Sequence, residues 1–142
     1  MTMKRPSSRQ RGSTLIDVCA ACVMGSVTMA LALPSYQGYL EHTRRGDAVT
    51  ALQRVQQAQE RYIASHGQYA LRADQLGKDM PEFSERGLYR IGMFADGPDS
   101  FEARATALPD REQAKDPGCA QLTLRVTNGV VAYEPSARCW NP

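Results

Sequence analysis

Few residues in this 142-residue chain have the type and spacing to do chemistry. His42 and His66 lie 24 positions apart, which is not the spacing of zinc ligands. Cys19 and Cys22 form a C-A-A-C pattern, but inside an apolar run rather than a thioredoxin-like setting, so they read as small packing residues. Asp110, Glu112 and Asp116 could offer oxygen to calcium. Arg111 and Lys115 interrupt them, so they read as solvated charges. No phosphate-binding glycine loop, nucleophile elbow or paired-carboxylate motif is present. The composition argues against an enzyme and for no cofactor.

Two features resist a bland reading. The first is Asp17, a lone carboxylate five residues into STLIDVCAACVMGSVTMALAL, residues 13–33. A run of about 20 apolar residues can span a bilayer, where an unpaired carboxylate costs roughly 2.5–3.5 kcal/mol on insertion scales. The second is the distribution of charge. Lys4, Arg5, Arg9 and Arg11 sit in the first twelve residues, which hold no acid, leaving 13 basic against 15 acidic residues beyond. A cationic leader before an apolar segment favours a cytoplasmic amino terminus, with the rest of the chain outside the cytoplasm. In that oxidising setting Cys119 and Cys139 form the natural disulfide pair.

The elements that must position these residues follow from periodicity. Ala48, Leu52, Val55, Ala58 and Tyr62 recur at three- and four-residue steps, with Arg45, Asp47, Arg54, Gln57 and Arg61 mostly elsewhere. That pattern predicts an amphipathic helix after Pro34, where a bend is expected, ending near Gly67. Residues 67–87 read as a loop. Residues 88–94, 100–108, 121–127 and 130–134 then alternate with period two, with Asn128-Gly129 as a hairpin turn between the last pair. The expected fold class is α+β, a long helix covering a four-stranded antiparallel sheet.

At this level the chain resembles the type IV pilin family, and its minor-pilin branch in particular. RG-STLID, the apolar run, ALPSYQGYL and QAQERY–GQYA carry the first likeness, and DPGCAQLTLRVTNGVVAYEPSARCW the second. The resemblance implies a leader over residues 1–12, cleaved after Gly12 by prepilin peptidase, with methylation of the new amino terminus at Ser13. It implies a transmembrane and filament-core half over 13–33, an amphipathic half over 34–66, and a region of loop, sheet and disulfide-bounded tail over 67–142. Asp17 would pair with the amine of a neighbouring subunit, and Pro34 would kink the helix. Ser13 and Asp17 stand where the family usually has Phe and Glu.

The implied function is that of a minor pilin serving adhesion, twitching motility or DNA uptake. Its partners would be other pilin subunits, the peptidase and the assembly platform of the inner membrane, which it would cross once before joining an extracellular pilus. A type II secretion pseudopilin and a DNA-binding competence pilin are the alternatives. For DNA, Arg104, Arg111, Lys115, Arg125 and Arg138 could converge, but their alternation with acids favours a mixed surface and a weak contact. Residues 67–87 and 119–139 are the expected interaction segments, while Tyr62, Tyr69, Phe83 and Trp140 are expected to pack.

Overall fold

The computed structural model describes residues 14–141, without the side chains of residues 27, 28, 30–35 and 37. Gly12 and Ser13 lie outside that range. The chain divides into two compact units, Met1–Gln37 and Gly38–Pro142. Helix α1, Leu15–His66, contributes to both.

In the first unit, the Asp17 carboxylate caps the start of α1. The Thr14 backbone N–H donates to Asp17 Oδ2 at 3.1 Å, and the Thr14 hydroxyl donates to the same oxygen at 2.8 Å. A carboxylate one turn into a helix satisfies amides that the helix itself cannot. Asp17 thus has a partner within its own chain.

The membrane span expected over residues 13–33 finds no support here and stays an expectation. Among the described residues no helix is long and apolar enough to cross a membrane. Part of that segment also lies outside the described side chains.

The second unit is α+β. Strands β1 (Tyr89–Gly97), β2 (Ser100–Ala107), β3 (Gln121–Thr127) and β4 (Val130–Glu134) form an antiparallel meander in the order β1-β2-β3-β4. Asn128 at φ 50° and Gly129 at φ 77° supply the two left-handed residues of the β3–β4 turn, as a type I′ hairpin requires. Gly67, at φ 74°, ends α1 with its N–H on the Ile63 carbonyl. Residues 67–87 are more ordered than a plain loop: a 3₁₀ segment covers Ala73–Asp79, and Phe83 pairs with Arg90 at the β1 edge. A short helix α2, Ala137–Trp140, closes the described chain.

The core joins the helix face of Ala48, Leu52, Val55 and Ala58 to the inner sheet face of Tyr89, Ile91, Phe101, Ala103, Ala105, Leu122, Leu124 and Val126. Cys119 and Cys139 belong to the same buried cluster and are bonded, with their Cα atoms 5.5 Å apart. A closed loop of this length contributes about 3 kcal/mol in the chain-entropy account.

Two residues assigned to the wet side of the helix are buried. Arg45 is 7% exposed and Asp47 9%. Asp116, expected to be solvated, is 3% exposed, because Arg45 reaches it in a two-bond fork. Arg45 Nε donates to Oδ2 at 2.7 Å and Nη2 to Oδ1 at 2.6 Å. Donation to Asp116 raises the arginine's pKa above its ordinary value, against the opposing effect of burial. Gln59, fully buried, exchanges two hydrogen bonds with the Ala70 backbone and ties the chain after α1 back to the helix.

Breaking the fork on one side strands a charge, a penalty of about 3–5 kcal/mol for buried pairs. Asp116→Ala should lower unfolding free energy by that order in urea titrations, and Arg45→Met with Asp116→Leu should recover most of the loss. A loss below about 1 kcal/mol for the single variant would show that the fork is not what secures this loop to the helix.

Candidate nucleic-acid interface

Strand register decides what the outer sheet face presents. Because side chains alternate across a strand, the partners of an outward residue are also outward. Three rows result. Phe83, Arg90, Thr106 and Gln121 form one. Gly92, Arg104, Thr123 and Glu134 form the next, and Phe94, Glu102, Arg125 and Ala132 the third.

Arginine–aromatic pairs dominate the β1 side. The Arg104 guanidinium lies 5.0 Å from the Phe94 ring centroid, and that of Arg90 5.4 Å from the Phe83 centroid. Such placements are favourable because the ring face is electron-rich. Phe94 is 54% exposed and Phe83 39%, so Phe83 does not pack inward as expected. Gly92 sits among these groups without a side chain. A Cβ there would meet the Phe94 ring edge at 3.4 Å, an ordinary contact. The result is a groove of about 540 Å³ lined by Arg90, Gly92, Phe94, Arg104, Thr106 and Gln121, with Leu108 and Pro109 adding apolar wall.

Glu102 organises the charges. It is paired with Arg104, and with Arg125 Nη2 at 2.7 Å, while Arg125 also reaches Glu134 at 3.5 Å. Burial opposes charge on Glu102, yet the hydrogen bonds from Arg125 and Arg104 outweigh it and hold its pKa below the usual value of 4.5. With Arg90, three guanidiniums stand against the Glu102 and Glu134 carboxylates, a surplus of one positive charge. Arg104 Nε, buried, has no hydrogen-bond partner among the described residues. The face therefore offers cationic donors beside exposed aromatic rings, the combination that receives phosphates and bases.

The other residues singled out from the sequence are elsewhere. Arg111 pairs with Asp110, and Lys115 with Glu112, on the segment between β2 and β3. Arg138 donates to the Pro117 carbonyl at 2.9 Å. His66 stacks on Tyr62 with ring centroids 3.9 Å apart. Cys19 and Cys22 carry exposed thiols in the first unit. Arg90 was absent from the arginines expected to converge, and β-strand alternation, which already pointed Arg90 away from Tyr89 and Ile91, was the signal for it.

A sequence model described as "Type IV minor pilin ComP, DNA uptake sequence receptor" matches residues 34–123, more than half of the chain. The protein belongs to this family of type IV minor pilins. The matched span takes in the second unit's part of α1, β1, β2 and the start of β3, and so most of the outer face. Cys139 and Trp140 fall beyond it. No curated protein matches the chain. As a member of a structural pilin family, the chain is a minor pilin rather than a major filament subunit.

The depressed Glu102 pKa makes a signed prediction. A carboxyl held below its unfolded value contributes stability that is present above pH 4.5 and is lost as pH falls through the folded value. Glu102→Gln should therefore cost about 1 kcal/mol at pH 7, after solvent screening of its half-exposed partners. That gap should narrow progressively in denaturation series carried downward from pH 4.5. A gap unchanged at low pH would mean that the arginine pairing does not stabilise the charged form.

Proposed function

We propose that this minor pilin contacts DNA through the outer face of its sheet. The observation that carries the reading is the row structure of that face. Arg90, Arg104 and Arg125 project beside Phe83 and Phe94, with Glu102 orienting two of the three guanidiniums. The family description, a receptor for DNA uptake sequence, supports the same ligand class. A subunit displayed on an extracellular pilus would then bring DNA to the filament, as an interaction protein and not as an enzyme.

The electrostatics limit the affinity. Three arginines face two carboxylates, Glu102 and Glu134, and the chain beyond its leader is slightly acidic. With up to three phosphates neutralised, log affinity for duplex DNA should fall against log salt with a slope of about −2 to −3. Arg104→Ala should flatten that slope by about 1, whereas Glu102→Gln should strengthen binding by releasing donors. Titration of a labelled duplex with the full-length protein in detergent, followed by fluorescence anisotropy, reads both. A slope that Arg104→Ala leaves unchanged would place the DNA contact elsewhere.

The amino-terminal region belongs to assembly in this reading. Prepilin peptidase cuts after Gly12 and methylates Ser13, residues 13–33 pack among neighbouring subunits, and Pro34 kinks the helix. Asp17, capping Thr14 in the single chain, exchanges that partner for a neighbour's amine. In a low-dielectric filament core such an exchange favours correct register, because a displaced subunit leaves the carboxylate unpaired. Asp17→Asn keeps an oxygen for the cap and removes the charge. It should reduce incorporation into sheared filaments nearly as far as Asp17→Ala; incorporation equal to the unmodified protein would make Asp17 a helix cap alone.

A further inference from the structure

Given the DNA contact proposed for this face, we infer that it takes an unpaired base, so that the preferred ligand is single-stranded DNA or a frayed end and not intact duplex. The groove over Gly92 is the reason. A flat row of cations is enough to track duplex phosphates, and duplex DNA offers a protein its backbone and base edges while its ring faces stay stacked. This face is the reverse of that requirement. Its cations are few and partly neutralised, and it holds a concavity of about 540 Å³ with mainly apolar walls.

The walls suit a planar aromatic ring. Phe94 is more than half exposed, and the Arg104 guanidinium is a second planar group 5.0 Å from its centroid. Bases stack on aromatic side chains and on guanidinium planes alike, and sheet faces that bind single strands use both. Gly92 leaves the space between Arg90 and Phe94 open, although its backbone does not require glycine: its φ is not in the left-handed region. Arg104, whose side chain is partly exposed, supplies guanidinium donors along the groove wall. Thr106 and Gln121, at the other end of the groove, carry hydroxyl and amide groups able to meet a base edge.

The test compares a labelled 12-nucleotide single strand with the duplex of the same sequence, titrated with full-length protein in detergent at one salt concentration. The single strand should bind about tenfold more tightly. Gly92→Val, which fills the groove with a residue suited to a strand, should weaken single-strand binding about tenfold and duplex binding by a clearly smaller factor. Phe94→Leu, at an exposed position, removes the stacking face without filling the groove and should act in the same direction, so that a folding defect in one variant does not decide the outcome. Duplex binding as tight as single-strand binding, and insensitive to both variants, would overturn the inference while leaving the DNA contact intact. Failure of both ligands to bind would overturn the DNA contact itself, and this inference with it.

Discussion

The pairing register of the four strands is the constraint on which the rest of the molecule depends. Phe101, Ala103, Ala105, Leu122, Leu124 and Val126 must face α1, and that requirement turns Glu102, Arg104 and Arg125 to the other side. A slip of one residue in β2 would bury Glu102 and Arg104, one in β3 would bury Arg125, and either would expose the core. Core formation and display of the outer face are thus one event. The charged rows need no separate device to assemble them, and the core cannot form with those rows misplaced.

Around this sheet the molecule uses a few buried polar ties where apolar packing would not specify a geometry. Arg45 and Asp116 fasten the segment between β2 and β3 to the helix, and Gln59 fastens the chain at Ala70. The bond between Cys119 and Cys139 joins the start of β3 to the end of the described chain. These ties hold the backbone that flanks the outer face while leaving the face itself open. A rigid scaffold carrying an exposed contact surface is the arrangement expected of a subunit displayed on a filament.

Local signals made the strands, the β3–β4 turn and the helix face legible in the sequence. Period-two alternation and the Asn128-Gly129 pair depend on residues close together in the chain. What escaped were pairings across long separations. Arg45 and Asp116 stand 71 residues apart, and each taken alone reads as a solvated charge. Phe83 reads as a packing aromatic until its pairing with Arg90 places it on the outer face. The groove was hidden for a further reason: it is made by the absence of a side chain at Gly92, and a glycine in a strand reads first as a weakness. The arginines of the outer face were partly legible, Arg104 and Arg125 by composition, but their shared carboxylate only by register.

The most direct test of the DNA-contact surface is to locate it on the protein. Photocrosslinking full-length protein to an oligonucleotide that carries a photoreactive base, followed by mass spectrometry of the peptides, reports which residues lie against the nucleic acid. The account predicts crosslinks in the β1 and β2 peptides that contain Arg90, Phe94 and Arg104. Crosslinks confined to residues 67–80 or to the Cys119–Cys139 tail beyond β3 would contradict it.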